Sequence, residues 1–309
     1  VKVFLTGASG LVGSAVAVAA ARIGHSVTGV VGRFPGEIAG LSQRITLDLA
    51  DGAAVTRTVL HEAPDAIVNC AAISEPASCD ANPALSNALN VALPIALASA
   101  AEQLGARFLH ISSEQVFDGQ QTSPYGILDP TRPINLYGRQ KVESERAVLG
   151  ETSCAIVRAP LLMGMSPGGR RALHERLFAD WAAGKTARLY SDEFRQPCTA
   201  DNLANVLVEL IDRPNDSGIF HWAGVELVSR YELGCRLRAH FNLSETAAPI
   251  QSIKRSDTPE ISVQRQPCLA LNLSPLAERL KTRPQSLAGQ FASLAIPGLH
   301  QAWYAQQRR

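Results

Sequence analysis

VKVFLTGASGLVG (1–13) opens the chain, and the rest of the sequence is placed around it. Val1, Val3, Phe4 and Leu5 make an apolar run too short for a buried helix and suited to a buried parallel strand. The run ends at Thr6-Gly7, glycines recur at Gly10 and Gly13, and SAVAVAAARIG (14–24) continues as an Ala/Val-rich helical pattern closed by Gly24. Strand, glycine turn and helix in this order are the context a dinucleotide phosphate loop needs, a plain strand–turn–helix being the alternative. One glycine supplies a positive φ, the next lets a pyrophosphate approach the backbone, and the third lets helix and strand close up. The helix start adds unpaired N–H groups and the positive end of the dipole. Gly7, Ser9, Gly10, Leu11 and Val12 are the expected cofactor contacts. The expected fold is α/β, a Rossmann-type doubly wound parallel sheet with a smaller C-terminal α/β substrate-binding part.

A chain of 309 residues holds one large domain or a domain with an appendage. Net charge is +1, the basic residues are scattered, and aromatics make up 6%, so neither a basic field nor a stacking platform points to nucleic acid. The six cysteines are far apart with no C-x-x-C pair, which predicts a reduced, cytoplasmic protein. The apolar residues near Val12–Ala21 are small and start inside the glycine loop, so neither a signal peptide nor a membrane span is expected. No His/Cys/Asp/Glu cluster has metal-ligand spacing, and no catalytic metal is expected.

HSVTGVV (25–31) reads as the second strand, followed by Gly32-Arg33 where an NAD-type fold would place an acid. Arg33 fits a 2′-phosphate, which favours NADP(H) over NAD(H); a solvated loop arginine is the plain alternative. A short strand at Ile45–Leu47 runs into Asp48-Leu49, and Asp48 is equally readable as the cap of a helix over Ala53–His61. AIVN (66–69) is the next strand. Small residues after it, Cys70, Ala71 and Ala72, leave room for a flat cofactor over the strand ends. A helix over roughly Ala84–Gln103 should kink at Pro94. RFLHIS (107–112) delivers Ser112-Ser113 to the carboxyl end of the sheet, where ligands sit in open parallel sheets.

PINLYGRQKVESERAVLG (133–150) follows, and Tyr137 and Lys141 lie four apart on one helix face. A free tyrosine titrates at about 10, so a nearby ammonium, together with a positive nicotinamide ring in an oxidised complex, is expected to lower it toward useful proton exchange. CAIV (154–157) is a sixth strand ended by Arg158-Ala159-Pro160. The loop MSPGGRR (165–171) is mobile by composition and able to fold over a substrate, with a helix behind it over about Ala172–Ala183. Asp201 is a candidate cap for the helix that returns to the sheet, GIFHW (218–222) is a late strand, and Ser229–Phe241 is a capped amphipathic helix. The first unit is expected over 1–160, completed by about 200–225, with 161–199 and 226–309 forming the smaller part.

TGASGLVG, NCAA (69–72), SSEQVFDG (112–119) and NLYGRQK (135–141) together make the chain resemble the extended short-chain dehydrogenase/reductase family, in its dTDP-4-dehydrorhamnose reductase-like branch. The resemblance runs from Lys2 to about Leu276 and is sharpest through Lys141. It implies a nicotinamide-dependent carbonyl reductase of a nucleotide-linked keto-sugar. Ser113, Tyr137 and Lys141 match its catalytic positions, with Ser113 set by counting back three residues from Val116. It further implies adenine contact at Asp48 and Leu49, backbone beside the nicotinamide at Ala159, a site asparagine at Asn90, and substrate contact at Glu114, Arg195 and Arg265. Either arginine, Arg195 or Arg265, is expected to meet the diphosphate, since a guanidinium forks onto phosphate oxygens; a surface arginine is the alternative for Arg265. Glu114, Gln115 and Ile127 depart from the usual pattern on the substrate side. Family members often dimerise through helices that fall here at Leu136–Leu149 and Ala84–Gln103. Three rivals stay open: a nucleotide-sugar epimerase or dehydratase with the same triad, a reductase of another carbonyl, and a non-enzymatic regulatory subunit like the methionine adenosyltransferase β subunit.

Overall fold

The computed structural model describes residues 1–150 and 154–308; positions 151–153 of the expected first unit and Arg309 at the end of the second lie outside the described residues. Among the described residues seven parallel strands form one sheet. In chain order they are β1 (Lys2–Thr6), β2 (Ser26–Val31), β3 (Gln43–Thr46), β4 (Ala66–Asn69), β5 (Arg107–Ser113), β6 (Cys154–Ala159) and β7 (Gly218–His221). Across the sheet the order is β7-β6-β5-β4-β1-β2-β3. The order reverses between β1 and β4, which creates a crevice at their carboxyl ends.

Both faces of the sheet are covered, which explains the unbroken apolar runs. Alternation along β1 sends Val3 and Leu5 to one face and Phe4 to the other. The first face carries helices α1 (Leu11–Arg22) and α6 (Ala200–Ile211). The second carries α2 (Gly52–Glu62) and α3 (Leu93–Leu104), with Phe108 and Ile156 completing the cluster. Helix α4 (Leu136–Val148) also lies on this side, its Val148 in the same cluster. A separate core gathers Phe178 and Trp181 of α5 (Leu173–Ala182), Leu233 and Leu237 of α7 (Arg230–His240), and Phe241. The tail past Pro297 closes it: Trp303 and Tyr304 pack on Phe178, and the Tyr304 hydroxyl donates to the Phe241 carbonyl at 2.8 Å.

Several local expectations are corrected. Asp48 does not cap α2; Asp51 does, accepting from the Ala54 N–H at 3.0 Å, while Asp48 closes a turn on Ala50 N–H. Asp201 lies inside the first turn of α6, and Thr199 is the cap, accepting from Asn202 N–H at 3.3 Å. The loop 165–171 is not left loose. Glu175 accepts from Ser166 N–H and Oγ, Arg171 N–H and Ala172 N–H at 2.7 to 2.9 Å, so one buried carboxylate pins the segment. The irregularity expected at Pro94 is a wide π-turn over Ala88–Ala92, where the Leu93 N–H reaches back to the Ala88 carbonyl. Proline has no N–H to close the next α-type bond, so the widened turn falls just before it. The helical run Pro83–Leu104 has the length and apolar character to cross a membrane, yet half of it is buried inside the fold.

At the third glycine a Cβ would stand 2.1 Å from the Gly7 carbonyl oxygen. Gly13→Ala is therefore expected to cost about 2 kcal/mol through forced backbone shifts, a Tm lower by roughly 5 °C. Thermal denaturation checks this, and an unchanged Tm contradicts it.

Candidate active site

Helix α4 starts at Asn135, whose side-chain oxygen accepts from the Gly138 N–H at 2.8 Å. Tyr137, Lys141, Ser144, Glu145 and Val148 then recur at helical spacing and are all buried, so this face lies on the sheet. Strand β5 runs beneath it. Its final residue, Ser113, lies near Tyr137, its hydroxyl close enough to pull on the phenol, and the two side chains sit at the strand's carboxyl end with only 7% and 6% exposure. The Lys141 ammonium donates to the Ile111 carbonyl at 2.8 Å and sits 5.9 Å from the Tyr137 ring centre. Ser112 is the other hydroxyl of the pair, and it points into the interior, donating to Glu145. The fold thus brings Ser113, Tyr137 and Lys141 together and sets Ser112 apart.

In the chain by itself the Tyr137 phenol is not lowered. Burial dominates and pushes it well above its ordinary value, with only the Ser113 hydroxyl pulling down. Burial also draws Lys141 down to about 8, against the pull of Glu145 and Cys70. The protein therefore holds a neutral phenol, which is a proton donor, beside a cation whose charge is weakly held.

The glycine loop lies at the crevice. Gly7 has a φ of 68°, and a Cβ there would meet the Ala71 N at 2.8 Å. Gly10 precedes α1, whose first turn carries no acid. Cys70, Ala71 and Ala72 extend from the end of β4 next to this loop, and Ala159 ends β6. A close backbone cradle with open N–H groups and no opposing charge fits the diphosphate of a dinucleotide. Ser9, Leu11 and Val12 lie partly buried in the same turn. Arg33 is exposed just beyond β2, Asp48 is exposed beyond β3, and Leu49 packs against the core.

Two expected substrate residues are reassigned. Asn90 is fully buried with its amide committed to the fold: its oxygen accepts from Ile73 N–H at 3.0 Å, and its nitrogen donates to the Ile73 carbonyl at 3.0 Å and to Gln140 at 2.8 Å. It fixes the chain beyond β4 and has no free group for a ligand. Arg195 is buried too. It pairs with Glu114 at 3.2 Å and Glu193 at 3.2 Å, and donates to the carbonyls of Phe194 at 2.7 Å and Gln266 at 3.0 Å. Each of its three guanidinium nitrogens already faces a partner within the fold.

Arg265 is placed otherwise. It forks onto Glu193 at 2.6 and 3.0 Å and lies over the Tyr190 ring at 5.0 Å. With Arg176, Arg188, Arg230 and Asp180 it lines a cavity of about 260 Å³. Glu193, held in its charged form by Arg195, Arg230 and Arg265, joins this cavity to Glu114 and hence to Ser113. Sequence reasoning missed Arg230, Glu193 and Glu145. Glu145 had a readable signal, four residues past Lys141 on the same face; the others meet only through long-range folding.

A family model described as the RmlD substrate binding domain matches residues 1–289. The rat methionine adenosyltransferase 2 subunit beta is 31% identical over 282 residues, covering 89% of this chain and 81% of that one. A dTDP-4-dehydrorhamnose reductase of Mycolicibacterium smegmatis is 30% identical over 233 residues, covering 75% and 66%. Two solved structures superpose closely. A hypothetical dTDP-4-dehydrorhamnose reductase from Sulfolobus tokodaii has a TM-score of 0.79 at 25% identity, covering 96% of this chain and 100% of its own. The enzyme of that name from Bacillus anthracis, in complex with NADP, has a TM-score of 0.79 at 18% identity, covering 94% and 95%.

Asn90→Ala would strand the Ile73 N–H and carbonyl beside the site. It is expected to cost about 2–3 kcal/mol, measured by urea denaturation. A variant as stable as the parent would remove the clamp role.

Proposed function

The chain belongs to the RmlD substrate binding domain family, and from that membership we propose that it reduces a keto group on a nucleotide-linked sugar, with a nicotinamide dinucleotide as reductant. The observation that carries the reading is that Ser113 and Tyr137 lie buried together at the end of β5, with Lys141 anchored behind them on the Ile111 carbonyl. When bound, the nicotinamide supplies hydride to the carbonyl carbon. Ser113 and Tyr137 hold the carbonyl oxygen, and Tyr137 gives it the phenolic proton. Lys141, anchored on Ile111, offers its remaining N–H donors to a ribose and its charge to the tyrosinate left behind. The glycine loop holds the dinucleotide diphosphate, and Asp48 and Leu49 flank the adenine.

Arg33 supports NADP(H) over NAD(H), as a cation at the end of β2 able to fork onto a 2′-phosphate. The smaller part, 161–199 and 226–309, takes the sugar nucleotide: Arg265, Arg230, Arg176 and Arg188 supply cationic partners for a diphosphate, and Tyr190 supplies a flat face. The six free cysteines suit a reducing, cytoplasmic setting. A second reading, a regulatory subunit that binds the dinucleotide and a partner protein, is favoured by the rat relative. Catalytic turnover separates the two.

The test is NADPH oxidation followed by absorbance with dTDP-4-dehydrorhamnose. Tyr137→Phe, which keeps the ring and removes the proton, is expected to lower kcat by about 10²–10⁴-fold; unchanged turnover would overturn the role. The pH profile has a definite sign. Tyr137 stays protonated through neutral pH, so it sets no limb there, whereas Lys141 loses its charge as pH rises through about 8. Reduction should therefore fall above that pH, and a profile still rising at pH 9 contradicts the assignment.

A further inference from the structure

Two arginines near the β3 edge of the sheet are used differently by the fold. Arg33 follows the end of β2 and is exposed, and its guanidinium makes no hydrogen bond or ion pair among the described residues. Arg44 lies on β3, which pairs with β2 and sets Arg44 opposite Gly29. Its guanidinium reaches the connection between the two strands, where Nη1 donates to the Gly36 carbonyl at 2.8 Å and Nη2 donates to the Phe34 carbonyl. Pro35 stands between the two acceptors, with a fixed φ and no N–H of its own. Among the described residues, 33 to 36 make no other hydrogen bond, so this fork alone closes the turn directly after Arg33.

The far end of the same connection is fixed by packing. Gly40 has a φ of 85°, and a Cβ there would stand 2.4 Å from the Ala17 carbonyl oxygen of α1. The Leu41 methyls fill the space over Gly29, and the Ser42 N–H donates to the Val27 carbonyl at 2.9 Å. With that end held, the Arg44 fork decides whether the Arg33 end is ordered. A loop ordered beforehand binds more tightly than one the ligand must order. The fork also gives both carbonyl oxygens a cationic partner, which removes repulsion that free oxygens beside Arg33 would offer to a phosphate.

We propose that Arg44 is a positioning residue for cofactor choice: by clamping the Phe34 and Gly36 carbonyls it holds the turn that presents Arg33 to the 2′-phosphate of NADP(H). This rests on the reading of Arg33 as the partner of that phosphate. Arg44 acts through Arg33 alone, so NADH, with a hydroxyl where NADPH has the phosphate, gains nothing from it.

Fluorescence titration of the full chain with NADPH and NADH tests this, NADH affinity serving as the check that a variant is folded. Arg33→Ala is expected to weaken NADPH by about 10–100-fold, the scale of a lost charged hydrogen bond, with NADH unchanged. Arg44→Ala should weaken NADPH about tenfold, again with NADH unchanged. Arg44→Lys keeps the charge but not the fork, and should stay within about threefold of the alanine variant. The double alanine variant should match Arg33→Ala within about twofold, because one residue works through the other. Unchanged NADPH affinity in Arg44→Ala, equal losses for both cofactors, full recovery in Arg44→Lys or additive losses in the double variant each overturn the positioning role and leave the Arg33 reading standing. An unchanged ratio of NADPH to NADH affinity in Arg33→Ala overturns that reading and this inference with it.

Discussion

Residues 110 to 112 of β5 and residues 141 to 145 of α4 are tied by polar contacts that burial shields from water. The Asn69 amide donates to His110 Nδ1, which leaves His110 Nε2–H to donate to Ser144, and Ser144 donates to the Lys141 carbonyl. One residue on, the Ile111 carbonyl receives the Lys141 ammonium. One further, Ser112 donates to Glu145, which forks with Arg158 at 2.9 and 2.7 Å. His110 and Ser112 point to one side of the strand because its period is two, and 141, 144 and 145 share a side of the helix because its period is 3.6. The two periodicities meet in a single register. A slip of α4 would leave Lys141, Glu145 and Arg158 buried and unpaired, and breaking a buried pair costs about 3–5 kcal/mol. That penalty fixes where Tyr137 stands relative to Ser113.

Burial that fixes the geometry also sets the chemistry. It holds the Tyr137 phenol neutral and weakens the hold of Lys141 on its proton. Glu193 continues the polar arrangement away from the sheet, binding Arg195, Arg230 and Arg265 together. Arg195 closes on Glu114 beside the reacting pair, and Arg265 and Arg230 face the cavity. One connected ion-pair network thus runs from the cavity to the residue after Ser113, and it fixes the spacing between the two.

What was legible in the sequence was local. The strand–glycine–helix opening, the order of strands and the Tyr137/Lys141 spacing all depend on neighbours a few residues apart, and each is found where the sequence puts it. The errors came where distant residues decide the outcome. Asn90 was read as a ligand contact because nothing nearby shows that Ile73 and Gln140 will claim its amide. Arg195 was read as a phosphate partner because Glu114 and Glu193 reach it only after folding. The 165–171 loop looked mobile from its glycines, and Glu175, outside it, decides otherwise. The acidification of Tyr137 expected from Lys141 together with an oxidised nicotinamide is not found in the chain by itself, where burial raises the phenol.

Hydride transfer to a carbonyl carbon separates a reductase from a protein that only holds a dinucleotide. The most direct measurement is mass spectrometry of dTDP-4-dehydrorhamnose after incubation with the protein and NADPH deuterated at the transferable position. The account predicts a reduced sugar carrying the deuterium, formed one for one with oxidised cofactor. Cofactor that binds and is recovered with its deuterium intact, with the keto-sugar unchanged, would contradict it.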